Sequence, residues 1–147
     1  AASIATTVAR GGEMISPQVV KRIKKSDQII WDAEEREPQH AISFGTARQL
    51  KTMMKKVVRS GTARKMFRRF PSKVLEKLEI AGKTGSITGG VPYGKRDWFV
   101  SYSRGKDGEK GISVSIMITN VKKWYIKSTY FAKMIYDYYY REIDEGK

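Results

Sequence analysis

Ile80-Ala81-Gly82-Lys83-Thr84-Gly85-Ser86-Ile87-Thr88 is the stretch on which the reading of this chain turns. Ile80 and Ile87 are the apolar ends of a short run with β-branched residues, so it reads as a strand. A strand interior seldom holds glycines beside a lysine unless something comes close to its backbone. Gly82 and Gly85 flank Lys83-Thr84, which leaves both backbone faces bare beside a cation and a hydroxyl. That grouping suits a carboxylate or an acyl carbonyl: ammonium and hydroxyl for the anion, free N–H groups for the oxygen. The plainer alternative is an ordinary edge strand with a solvated lysine, since K-T-G alone arises often by chance.

Two more strands follow. Asp97-Trp98-Phe99-Val100-Ser101-Tyr102-Ser103 is the first, after a Gly/Pro-punctuated connection over residues 88–96. Residues 111–119 form the second, where Ile112, Val114, Ile116 and Ile118 alternate with Ser113, Ser115 and Met117, so one face is packed. Residues 104–110 between them are a turn-rich hairpin link. Together these give an antiparallel three-stranded meander.

Helices precede and follow it. Residues 1–10 are Ala/Thr-rich and helical, ended by Gly11-Gly12, with an extended exit before Pro17. Residues 19–24 and 28–31 are short extended segments around Lys25-Ser26-Asp27, and residues 32–39 a charged loop. Residues 46–59 are the clearest helix, capped by Thr46 and stopped by Gly61, with Leu50, Met53, Met54, Val57 and Val58 on one face. A shorter helix spans residues 63–70, closed by Pro71; residues 73–77 are ambiguous. The chain ends in a helix over residues 126–143, whose Tyr130, Phe131, Met134, Ile135, Tyr138 and Tyr139 form an apolar stripe expected to lie across the sheet. The fold class is α+β, with the C-terminal helix packed on the meander.

At 147 residues with 40% hydrophobic content, the chain is one domain's worth with a real core. No cysteine is present, which excludes disulfides and thiolate metal sites. His40 is the only histidine, so a Ser-His-Asp triad would have to use it, and clustered histidine ligands are excluded. No run reaches the roughly 18 apolar residues of a membrane span, and no signal peptide is visible. The chain starts without Met inside a helix-like run, which suggests a processed product or a fragment. Net charge is +14 and the sequence pI about 10.0. Nucleic acid, acidic wall polymer and an anionic membrane surface are the partners such a balance suggests. The cationic runs 51–56 and 64–69 are otherwise the solvated faces of two helices.

Beyond Lys83-Thr84-Gly85, several stretches in order resemble the transpeptidase domain of penicillin-binding proteins. Residues 2–17 are similar to the family's helix that ends in a glycine pair and exits through a proline. Leu50 to Val58 followed by Arg59-Ser60-Gly61-Thr62-Ala63 resembles its V-V-x-x-G-T-A stretch, and Asp97-Trp98-Phe99-Val100 its next strand. The resemblance covers essentially all 147 residues. It implies that the meander is part of a larger β-lactam-binding serine enzyme fold. By that resemblance, Lys83 organises the site electrostatically and, with Thr84, holds the substrate carboxylate. Gly85 lets the acyl group approach, and the Ser86 N–H is one of two oxyanion donors. Lys83 and Ser86 are thus the expected catalytic contributors, and Lys83, Thr84, Gly85 and Ser86 the substrate-binding set. Ser86 stands where the family often has threonine, a mild departure.

The larger departure is absence. The one literal S-x-x-K, Ser103-Arg104-Gly105-Lys106, follows the K-T-G instead of preceding it, and reads as chance. S-x-N is missing, since the only asparagine is Asn120. The chain therefore reads as residues 1–147 of the C-terminal portion of a single transpeptidase domain, inactive alone, with the nucleophilic serine on a missing segment or a second chain. The expected partners are peptidoglycan stem peptides, β-lactams and that nucleophile-bearing part, with no nucleic acid. The expected location is the extracytoplasmic face of the bacterial cytoplasmic membrane, anchored upstream. No metal or organic cofactor is implied. A D,D-carboxypeptidase or β-lactamase-like hydrolase, a basic nucleic-acid-binding module and a catalytically dead interaction domain are the competing readings.

Overall fold

A computed structural model of the chain describes residues 1–70, 75, 78–104, 111–123 and 126–144. The order is α1 (Ala2–Ala9), β1 (Glu13–Met14), β2 (Arg22–Lys25), β3 (Gln28–Asp32), β4 (Gln39–His40), α2 (Phe44–Arg59), α3 (Arg64–Phe67), β5 (Ala81–Gly89), β6 (Gly94–Tyr102), β7 (Ser113–Asn120) and α4 (Ser128–Asp144).

Strands β5, β6 and β7 form the expected antiparallel meander in that order. The β5–β6 ladder runs without a break from Ala81↔Tyr102 to Gly89↔Gly94, so the strands extend further than the Gly/Pro connection suggested. Residues 90–93, with a cis Val91–Pro92 bond, make the turn. The link over residues 105–110, Pro71 and most of residues 73–77 lie outside the described residues.

Helices cover both faces of the sheet. On one face α1 and α2 bury Ala5, Val8 and Met54 against Ala81 and Tyr102. On the other, Phe67 of α3 and Tyr136 of α4, with Phe70 and Leu78 from the chain after α3, are buried against Phe99 and Val114. Thr6 Oγ1 donates to Ser113 Oγ at 2.9 Å, tying α1 to β7.

Four expectations need correction. First, α2 begins at Phe44 and its cap is Ser43, not Thr46: Ser43 Oγ accepts from the Thr46 N–H at 3.1 Å. Second, residues 32–39 are not all loop. Asp32 ends β3, and Gln39–His40 pair with Glu13–Met14 in a small ladder at the foot of the β2–β3 hairpin. Third, the described helix after α2 is only Arg64–Phe67, with residues 68–70 in a turn.

The fourth concerns α4. Its sheet-facing residues are Ser128, Thr129, Ala132, Tyr136 and Tyr140, all buried. Of the expected stripe only Tyr139 packs against the core, and Tyr130, Phe131, Met134, Ile135 and Tyr138 are exposed. The helix is apolar almost all round, so periodicity could not choose a face. Hydroxyl partners and size do: Tyr136 OH donates to Ser101 Oγ at 2.9 Å, Tyr140 OH bonds Ser103 Oγ, and Ala132 lets the helix come close. Burial pushes the Tyr136 phenol well above its ordinary value of 10.0.

Candidate active site

Strand alternation decides which motif residues share a face. Lys83 lies opposite Val100, and Gly85 opposite Trp98, on the face covered by α1 and α2. Thr84 and Ser86 pair with Phe99 and Asp97 and belong to the other face. Alternation thus puts Lys83 and Thr84 on opposite faces of β5, yet both border the same groove along its open edge. β5 has β6 on one side and no strand partner on the other among the described residues, so its outer edge carries backbone groups free for a ligand.

Gly82 and Gly85 prove unlike each other. A Cβ on Gly82 would stand 2.5 Å from Phe99 Cζ and 2.8 Å from Ser101 Cβ, so this glycine serves packing. The expectation that both backbone faces are bare fails there. A Cβ on Gly85 would meet only Trp98 Cβ, at 3.7 Å, an ordinary contact. Nothing among the described residues requires glycine at 85.

Lys83 stands at the lip of an apolar groove of about 520 Å³. Trp98 and Val100 form its floor, Ile4 and Val8 of α1 one wall, and Leu50, Met53 and Val57 of α2 the other. Met53, expected in the core, is 55% exposed because it faces this open groove. The Lys83 ammonium donates to Thr84 O at 2.6 Å. Thr84 Oγ1 shares a hydrogen bond with Thr62 Oγ1 at 2.7 Å. Thr62 lies in the G-T-A stretch, where nothing in the sequence marks it for the site. The turn after α2 brings it to the motif strand, and only tertiary structure reveals that.

The arrangement offers one ammonium, a pair of exposed hydroxyls and an open strand edge beside an apolar groove. A carboxylate on this edge finds charge-assisted donors, and an acyl oxygen finds backbone N–H groups. The described residues hold no general base beside Lys83 and no cluster of three His, Cys, Asp or Glu fit for a metal. His40 is exposed in the small β1–β4 ladder, with Glu13 as its strand neighbour. Ser103 is 4% exposed, its hydroxyl occupied by Tyr140, which disqualifies it as a nucleophile for an outside substrate. Lys106 lies outside the described residues.

Asp97 has a structural role that the sequence did not disclose. Its Oδ2 accepts from the Ser128 N–H at 2.7 Å and the Ser128 hydroxyl at 2.9 Å, holding the first turn of α4 onto β6. At the other end of the sheet, Lys55 and Arg104 reach Glu79 at 3.2 and 3.5 Å. Burial alone would raise the Glu79 carboxyl, but the hydrogen bond and charge of Lys55, then Arg104, hold it below its ordinary value of 4.5. Burial, then Glu79, pushes the nearby Tyr102 phenol up to about 12.

A helix-flanked meander with K-T-G on its open edge is the pattern of penicillin-recognising transpeptidases, and the family comparison agrees. The family model for the penicillin binding protein transpeptidase domain matches residues 1–137, and the chain belongs to that family. Among solved structures it is similar to penicillin-binding protein A from Mycobacterium tuberculosis. In its imipenem acyl-enzyme complex the identity is 22%, the cover 92% of this chain and 29% of that one, and the TM-score 0.68. In its penicillin G acyl-enzyme complex the figures are 24%, 80%, 25% and 0.57. The mixed helix-and-sheet fold expected from sequence is thus the fold of these transpeptidase structures, of whose length this chain spans under a third. Comparison with curated proteins finds no match.

Proposed function

We propose that this chain is the K-T-G wall of a serine D,D-transpeptidase that cross-links peptidoglycan through an acyl-enzyme and is acylated by β-lactams. The observation that carries the reading is Lys83 at the lip of the apolar groove, on an open strand edge, in a chain of the transpeptidase family. In this reading Lys83 and Thr84 clamp the carboxylate of a stem peptide or β-lactam, with Thr62 orienting the Thr84 hydroxyl. Gly85 admits the acyl group to the strand. The Ser86 N–H is one of the two donors to the oxyanion that forms when serine attacks the carbonyl.

That serine comes from a segment upstream or from a second chain, seated in the groove between α1, α2 and β5. Three exposed surfaces support a further part of the domain: the groove itself, the outer edge of β7, and the apolar side of α4 carrying Phe131, Met134 and Ile135. In this reading residues 1–147 are the C-terminal portion of one transpeptidase domain, inactive alone, working at the extracytoplasmic face of the bacterial cytoplasmic membrane. The acyl-enzyme complexes of penicillin-binding protein A are what make imipenem and penicillin G the natural probes.

Intact mass of every chain in a native preparation, before and after benzylpenicillin, tests this. The expected result is an adduct on a second or longer chain, slowed roughly 10²-fold by Lys83→Ala, with none on residues 1–147 alone. An adduct on this chain by itself would overturn the missing-nucleophile account. Labelling of the complete enzyme unaffected by Lys83→Ala would overturn the role given to the motif.

A further inference from the structure

The sequence between Glu37 and Glu76 holds no acidic residue. Residues 44–70, which include α2 and α3, carry nine lysines and arginines. The other 120 residues carry 20 against 15 acids, so this segment supplies most of the net charge of +14. A solvated helix face ordinarily mixes both signs. Here Lys51 and Lys55, and Lys55 and Arg59, are like-charge pairs four residues apart, which weaken the helix that carries them. Of the nine cations, Lys55 alone forms an ion pair among the described residues, with Glu79 at 3.2 Å.

The fold brings these charges to the candidate site. On one face of the sheet α2 walls the groove with Leu50, Met53 and Val57, and on the other Phe67 of α3 is buried. The chain passes from the first face to the second beside β5, where Thr62 meets Thr84 at 2.7 Å. Lys56 and Arg59 lead into that turn, and Arg64, Lys65, Arg68 and Arg69 follow it; all six are exposed. The acids of the adjoining strands do not offset them. Glu79 is neutralised by Lys55 and Arg104, and Asp97, 5% exposed, is turned into the first turn of α4. The Lys83–Thr84 clamp is therefore flanked by charge of its own sign. A cleft with charge of one sign and apolar walls concentrates counter-ions and speeds their arrival, by roughly 10- to 1,000-fold where many charges act together. The effect needs no contact, since at 0.1 M salt it reaches about 10 Å. What the clamp suits is a carboxylate, so the ions gathered here are those the groove can hold.

We propose that the cations flanking the Gly61–Thr62 turn guide carboxylate-bearing acyl donors to the β5 edge and favour donors that carry a second negative charge. This rests on the transpeptidase reading of the site and adds a selectivity to it. Acylation of the complete enzyme by two penicillins tests it: benzylpenicillin, with one carboxylate, and carbenicillin, with two. The second-order acylation constant is measured at about 0.01 M and about 1 M salt, where charges are felt over about 30 and about 3 Å. At low salt, Arg59→Gln/Arg64→Gln/Lys65→Gln should lower the constant about threefold for benzylpenicillin and, as the square, about tenfold for carbenicillin. At high salt parent and variant should converge, which a rearranged turn would not produce. Lys21→Gln/Lys24→Gln/Lys25→Gln removes the same charge from the β2–β3 hairpin and should change either constant by less than about twofold. Equal slowing by the hairpin variant would overturn the proposal in favour of net charge. So would a gap that persists at high salt, or an effect no larger for carbenicillin than for benzylpenicillin. A parent enzyme that reacts with neither penicillin would overturn the transpeptidase reading itself, and this proposal with it. All six substituted positions are exposed, so failure to fold is not an expected outcome.

Discussion

Two hairpins of this chain, β5–β6 and β2–β3, are built by the same local rules and end in opposite situations. Each is antiparallel, closed by a short turn, and strewn with β-branched and aromatic residues. The first is an unbroken ladder of nine pairs, backed by β7 and covered by helices on both faces. The second has four pairs and no cover. Alternation and turn residues make a strand; what packs on it decides whether an isoleucine is core or surface. In the covered hairpin even Gly82, the glycine just before the motif, is committed to packing. In the bare one, Ile23, Ile29, Ile30 and Trp31 stay exposed.

Truncating one large side chain in each hairpin is the strongest way to break this comparison. Phe99 is fully buried, its ring 5.7 Å from that of Phe67. Phe99→Ala should lower stability by about 3–5 kcal/mol, read from the urea midpoint. Trp31→Ala should change it by less than about 0.5 kcal/mol. Similar losses in the two variants would mean that the β2–β3 hairpin is packed in solution. The next contrast lies inside β5. Gly82→Ala drives a methyl into the Phe99 ring and should destabilise by about 1–3 kcal/mol. Gly85→Ala meets nothing closer than 3.7 Å, so it should leave the midpoint within roughly 0.5 kcal/mol and instead slow β-lactam labelling of the complete enzyme. A strong stability loss at Gly85 with normal labelling would reverse the roles of the two glycines.

How far the sequence could be read follows the same division. The meander, the helices around it and the family were legible because K-T-G, the glycine-ended first helix, G-T-A and W-F stand in order along the chain. Their meaning needs little tertiary information. The packing side of α4 was not legible, because Tyr130, Phe131, Met134, Ile135, Tyr136, Tyr138, Tyr139 and Tyr140 leave hardly any polar face for periodicity to find. The choice rested on Ser101 and Ser103, which are far away in sequence. Thr62 beside Thr84 and Asp97 beneath α4 were hidden for the same reason. Ser43 lost to Thr46 as a cap because both are good caps three residues apart; the structure uses one as cap and the other as its donor. Lys83 and Gly85 line the groove, while Gly82 carries a packing constraint that only the position of Phe99 reveals.

The α4 assignment can be sharpened by removing single oxygen atoms. Tyr136→Phe leaves the Ser101 hydroxyl, fully buried, without the donor it now has. The expected loss is about 1–2 kcal/mol. Tyr138→Phe on the exposed side, at 69% exposure, should be silent. Equal effects would mean that α4 turns its other face to the sheet.

The smallest expected effect concerns Glu79, at the mouth of the covered hairpin. Its carboxyl is held below 4.5 by Lys55 and Arg104 against the upward pull of burial. A folded value below the unfolded one stabilises the fold fully above about pH 4.5, and the contribution is lost as the pH falls through the folded value. About a third of each partner in the Lys55 pair is exposed, so solvent screens it and the contribution is roughly 0.5 kcal/mol. Glu79→Gln should therefore be slightly less stable than the parent at pH 7, and the two should converge as acid protonates the parent's carboxyl. The urea midpoints of both proteins across the acid range give this directly. A gap that persisted in acid would assign the Glu79 contribution to the packing of its side chain, and the ion pairs at this end of the sheet would then be contributing nothing measurable.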